Sequence, residues 1–202
     1  MIDANASSTI LRQAHAVLLP AYASLDISVE ADTFLAAGGK ALLLGESRAE
    51  YVARDMSDER IRSEAAESFG GLLDPLRVKH GRFIVAIDQE LSGIQRLHKL
   101  VPALPDLATA TKMPTEAITD VAFDVATAAR AVGITMFLSP ILDVVTGENA
   151  WLANRTLGAD ASEVARIGAA FIRGVQKAGI AACAKHFPGY SYLSADPALT
   201  DV

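Results

Sequence analysis

The chain has 202 residues, 51% of them hydrophobic and 21% charged, with a net charge of −6 at pH 7 and a single cysteine. Such apolar content excludes a disordered chain, and one cysteine excludes a disulfide scaffold. An acidic balance without a basic stripe argues against nucleic acid as a partner, and no apolar run reaches the roughly 18 residues of a membrane span.

The first apolar run, residues 14–23, lacks a charged leader: Asp3 and the lone Arg12 precede it, and Pro20 interrupts it. It reads as an early buried strand at 16–19 rather than a signal peptide, which makes the cytoplasm the expected location. Further continuous apolar runs lie at 40–44, 82–87, 134–138 and 180–184. They have the length and texture of strands buried on both faces. Cys183 sits in the last of these and is expected to be a buried structural thiol.

Helical patterns fill the gaps. Residues 55–76 form one such region. In 116–132, Ile118, Val121, Ala122, Val125 and Ala129 recur at helical spacing. In 160–178, Asp160 is placed to cap the first turn with Glu163 three residues on, Lys177 lies in the last turn and Gly179 follows as the stop. The Pro-rich segment 101–114 reads as a loop within one domain, 1–202. Strands alternating with helices mean crossover units and a parallel sheet, so the class is α/β. A doubly wound sheet and a (β/α)8 barrel both fit this order.

In either fold the chemistry belongs at the C-terminal ends of the strands. Three of these are abruptly polar: Asp88-Gln89-Glu90 after 82–87, Asp143 after 134–142, and Lys185-His186 after 180–184. Buried unpaired, such groups are costly, so a polar pocket accounts for them better than a core does. Ordinary solvation of strand ends is the competing explanation. No spacing of His, Cys or Asp resembles a metal site, and Gly38-Gly39-Lys40 is too short for a phosphate loop, so neither metal nor cofactor is expected.

The same residues carry a family resemblance. DQELSGIQRL at 88–97 resembles the D-Q-E-G-G-x-V-x-R-L signature of family 3 glycoside hydrolases, of the β-N-acetylglucosaminidase type. LSPILDV at 138–144 is similar to that family's A-P-V-L-D-V strand, NRTLGAD at 154–160 resembles its R-S-F-G-x-D helix entry, and KHFPG at 185–189 is identical to its K-H-F-P-G motif. The resemblance implies a TIM barrel, of which this chain holds about the first five β/α units. It implies a small carbohydrate substrate, an N-acetylglucosamine-containing glycoside or muropeptide, hydrolysed with retention.

It further implies that Asp88, Arg96, Arg155, Lys185 and His186 bind the terminal sugar, and that the Phe187–Pro188 bond is cis. Those side chains suit the task. Asp88 accepts two hydroxyl hydrogen bonds, Arg96, Arg155 and Lys185 only donate, and His186 does either. For Arg96 and Arg155 the competing reading is a surface ion pair.

Two features depart from the pattern. After K-H-F-P-G the family loop carries an aspartate and a histidine as the acid/base pair. Asp196 falls on that aspartate, but the histidine position is Ala198, and Leu91 and Ser92 stand where the family has glycines. The family's nucleophilic aspartate lies on a late strand, beyond Val202 in this reading. The chain then reads as a gene fragment, a degenerate paralogue or one part of a split barrel, the last with a second chain completing the barrel as its partner; a non-catalytic sugar-binding remnant or regulatory pseudoenzyme is the alternative function.

Overall fold

The structure, a computed structural model, describes residues 4–197, with side chains from residue 8 onward. Five strands make one sheet: β1 (Ala21–Tyr22), β2 (Ala41–Leu44), β3 (Ile84–Ile87), β4 (Met136–Phe137) and β5 (Ala181–Ala182). All neighbours are parallel and lie in sequence order. A doubly wound sheet reverses its order at a switch point. Sequential order is the barrel arrangement, so the structure decides between the two folds that the pattern of elements allows.

Strand alternation sorts the side chains. Leu42, Leu44, Val85, Ile87 and Phe137 are fully buried in the apolar core. That core is shared with the helices α2 (Ser28–Ala36), α5 (Ala66–His80), α7 (Thr115–Ala131) and α8 (Ala161–Lys177). The opposite row, in register across the sheet, is Ala21, Leu43, Ala86, Met136 and Ala181. It is less covered, and Ile84 on that face is 40% exposed. Asp88 follows Ile87 by one residue and Lys185 lies four past Ala181, so alternation sends both toward this inner side.

The helices form where periodicity places them. Phe69, Leu72, Leu73 and Leu76 bury one stripe of α5, each such side chain contributing about 1.5–3 kcal/mol. Ile118, Ala122, Val125 and Ala129 do the same for α7, while Val121 is only partly buried. Asp160 caps α8 by accepting from the Ser162 and Glu163 amides at 2.8 and 3.0 Å. Glu163 does not complete a capping box with Asp160; it pairs with Arg166. Gly174 lets α8 lie directly on α7, because a Cβ there would run into the Thr119 carbonyl and the Ala122 side chain.

Four expectations are corrected. Residues 14–16 belong to helix α1 (Ala4–Ala16), and the first strand begins only after Pro20, whose carbonyl accepts from Leu43 N at 2.9 Å. Alanines at 14 and 16 favour helix. Val17, Leu18 and Leu19 are exposed, at 83%, 53% and 39%. The single helix expected at 55–76 is two, α4 (Asp58–Ser63) and α5, separated by Glu64 in extended conformation. Glu64 leaves the helix to meet Arg60 and Arg96. The segment 101–114 contains a short helix, α6 (Leu107–Ala110), capped by Asp106. Cys183 is half-exposed rather than buried.

Candidate active site

The site is built from strand ends. After β3 the chain turns back as a tight hairpin, with Glu90 N donating to Ile94 O at 2.8 Å and Arg96 N to Asp88 O at 2.9 Å. Gly93 takes φ +105° at its tip, and a Cβ there would strike the Glu90 carboxylate and the Arg155 side chain. The hairpin thus delivers Glu90, 1% exposed, into the middle of the site.

Glu90 joins three of the predicted sugar-binding residues. Its carboxylate accepts from Arg155 Nε and Nη2 at 3.0 and 2.6 Å and from Ile94 N at 3.1 Å. It also lies 2.9 Å from Lys185 Nζ, which donates to Asp88 Oδ1 at 2.6 Å. Burial opposes ionisation of Glu90, but the Arg155 hydrogen bonds and the Lys185 charge outweigh it and hold the carboxyl below its usual range. Burial likewise works against Lys185⁺, and the charges of Glu90 and Asp88 overcome it and raise the pKa. Glu90, Lys185 and Arg155 are therefore all charged at neutral pH. Arg155 keeps one buried nitrogen, Nη1, with no hydrogen-bond partner among the described residues.

His186 is fixed from the neighbouring loop. Asp143, 3% exposed, accepts from His186 N at 3.0 Å, from His186 Nδ1 at 2.8 Å and from Tyr190 N at 2.7 Å. A carboxylate can only accept, so the ring proton sits on Nδ1 and Nε2 is left for a ligand. Trp151 stacks on the imidazole with ring centroids 4.5 Å apart, meets Tyr190 edge-on at 5.3 Å, and donates from Nε1 to Tyr51 Oη at 2.6 Å. Leu142, Asp143, Val144, His186, Gly189 and Tyr190 line an open cleft beside it. The peptide bonds Ser139–Pro140, Lys185–His186 and Phe187–Pro188 are cis, the last as the resemblance implies.

The other predicted residues sit apart. Arg96 is completely buried. Its Nε donates to Gly45 O at 2.6 Å, and Nη1 and Nη2 donate to Glu64 at 2.6 and 2.8 Å. It belongs to an ionic chain that continues through Glu64 and Arg60 to Glu50 beneath α4 and the preceding helix α3 (Arg48–Ala53). It is an ion pair, but not a surface one, and every guanidinium nitrogen is engaged by protein.

Asp196, 8% exposed, accepts from Arg54 Nη2 at 3.0 Å, and Arg54 also holds Tyr51 O and Trp151 O. The loop bearing Asp196 is further tied by Leu193 N to Glu148 O at 2.9 Å and by Asn149 Nδ2 to Tyr190 O at 2.8 Å. Ala198 lies outside the described residues. No group of three or more metal-ligating side chains occurs among the described residues.

Glu90, Trp151, Arg54 and Glu46 were not among the predicted site residues. Glu90 stood inside the quoted motif. Glu46 follows the apolar β2 run after one glycine, Gly45, where Asp88 follows β3 directly, so the strand-end rule also reaches it.

The chain matches the model of the glycosyl hydrolase family 3 N terminal domain over residues 75–200. It is 30% identical over 127 residues to a beta-hexosaminidase of Hydrogenovibrio crunogenus, covering 59% of this chain and 36% of that protein. To a beta-hexosaminidase of Pseudomonas aeruginosa it is 34% identical over 115 residues, covering 56% of this chain and 35% of that one. The chain thus spans about a third of the length of the curated relatives it matches. A glycoside hydrolase family 3 beta-N-acetylglucosaminidase from Paenibacillus superposes with a TM-score of 0.74 at 24% identity, over 90% of this chain and 34% of that one. That likeness establishes a shared barrel-type fold.

Proposed function

Because the chain belongs to the glycosyl hydrolase family 3 N-terminal domain family, we propose that it is the sugar-recognising part of a retaining hydrolase for terminal β-N-acetylglucosaminides. The observation that carries the reading is the Asp88–Lys185–Glu90–Arg155 cluster at the C-terminal ends of β3 and β5. Polar groups converging there suit a ligand with hydroxyls in several directions. Charge-assisted hydrogen bonds to such hydroxyls are about twice as strong as neutral ones. Asp88 accepts, Lys185 and Arg155 donate, and His186 Nε2 meets the sugar from the Asp143 side.

Retaining hydrolysis needs a nucleophilic carboxylate and a proton donor. Asp196, in its ion pair with Arg54, is poised as a structural anchor of the donor loop more than as an acid. The inner face of the sheet, where Ile84 at the start of β3 is 40% exposed, favours completion of the barrel by further strands, which a second chain could supply. No described helix is long and apolar enough to cross a membrane.

The test is release of nitrophenol from an aryl N-acetylglucosaminide by the folded protein. Turnover is expected to be slow, and worse for a poor leaving group, because general-acid assistance is worth about 10²–10⁴-fold. Ala198→His should help the poor leaving group more than the activated aryl one. Binding of N-acetylglucosamine with no turnover of either substrate would favour a non-catalytic sugar-binding domain, the reading that Ala198 supports.

A further inference from the structure

Glu46 lies two residues past β2, beside the β3 end that carries Asp88. It is half-buried, and its Oε2 is sealed from solvent with no hydrogen-bond partner among the described residues. The cations nearby each hold another carboxylate. Lys185 serves Asp88 and Glu90, Arg155 serves Glu90, and Arg96 serves Glu64. Glu46 is thus a further carboxyl of the site, close enough to Asp88, Glu90 and Arg96 to feel their charges, with no hydrogen-bond partner for Oε2 among the described residues.

A carboxylate oxygen buried without a donor is costly, whereas the carbonyl oxygen of a neutral acid is far less so. The burial thus favours the neutral acid, with Oε2 as carbonyl oxygen and the proton on Oε1.

We propose that Glu46 is held as a neutral carboxylic acid at the edge of the sugar site and donates a hydrogen bond to a ligand oxygen there. It would add a neutral donor to a set whose other donors are cations and a histidine. Burial first, and the negative charge of Asp88 second, push its pKa up to about 7, with Arg96 opposing. The group is therefore neutral below that pH and loses its proton above it. The inference rests on the sugar-binding reading of the same site.

The experiment is in two parts on the whole chain. Carbon-13 NMR of glutamate-labelled protein follows the Glu46 carboxyl, assigned by its absence in Glu46→Gln. A midpoint near pH 7 is expected, and a midpoint in the ordinary range near 4.3 overturns the inference. Calorimetry with N-acetylglucosamine then measures Kd between pH 6 and 8. Affinity should fall as pH rises, about 10-fold for each unit above the midpoint if only the protonated form binds.

Glu46→Gln keeps a neutral donor, so it should bind with an affinity that no longer changes with pH, while Glu46→Ala should bind weakly throughout. A pH-independent Kd in the wild type, or a Gln variant as weak as Ala, overturns the role of Glu46 and leaves the site reading standing. No binding by the wild type at any pH overturns the site reading, and the donation with it.

Discussion

Replacing Glu90 by glutamine removes one charge from the centre of the site with almost no change of volume. The Arg155 guanidinium, 3% exposed, then faces an amide, and Lys185 keeps only Asp88. Breaking a buried ion pair from one side costs about 3–5 kcal/mol, because the remaining charge stays desolvated. For a chain of 202 residues each kcal/mol lowers Tm by about 2–4 °C, so the loss should be about 6–20 °C.

Urea unfolding followed by circular dichroism should show a lower midpoint at an unchanged slope. The pH dependence provides an internal check. The folded-state pKa of Glu90 is lowered, so its contribution is present above the unfolded value near 4.3 and is lost as pH falls through the folded pKa. Wild type and Glu90→Gln should therefore converge in stability in acid and diverge above pH 5. A difference below about 1 kcal/mol at pH 7 would mean that the pair behaves as an exposed one, and the buried four-charge cluster would be refuted.

Two further outcomes follow from the geometry. Arg54→Ala removes the guanidinium that ties Asp196 to Trp151 O and α3; hydrogen exchange at Leu193 N should accelerate about 10-fold or more, since bonds to charged groups contribute about 1.5–3 kcal/mol, and unchanged exchange would show that the loop is held by other contacts. Gly174→Ala forces a methyl into the Thr119 carbonyl; overpacking of this kind costs about 1–3 kcal/mol, read as a lower urea midpoint, and full stability would show that α7 and α8 have room to separate.

The strand–helix alternation was legible from β2 onward but allowed a doubly wound sheet as well as a barrel; the four motifs, three at strand ends and one at the entry to α8, pointed to the barrel. Early errors have one origin. The run 16–19 is as apolar as any strand, but Ala16 belongs to α1 and pairing waits for Pro20 O. Periodicity did not reveal the break between α4 and α5, because it depends on Glu64 reaching two arginines, one of them 32 residues away.

The same long-range pairing decides the site. Nothing local distinguishes Arg96, locked to Glu64, from Arg155, which shares Glu90 with Lys185. The motif located both arginines, and only the fold reveals their partners. Trp151 is informative once His186 is known to stack on it, since no spacing in the sequence links the two.

Sugar recognition through Asp88 is tested most directly by calorimetry of the wild type and Asp88→Ala with N-acetylglucosamine at pH 6. Asp88 is 15% exposed and its only ion-pair partner among the described residues, Lys185, retains Glu90, so the variant should fold with little loss of stability. Weak binding by the wild type and none by the variant is the expected result. Equal heats for the two folded proteins would contradict it.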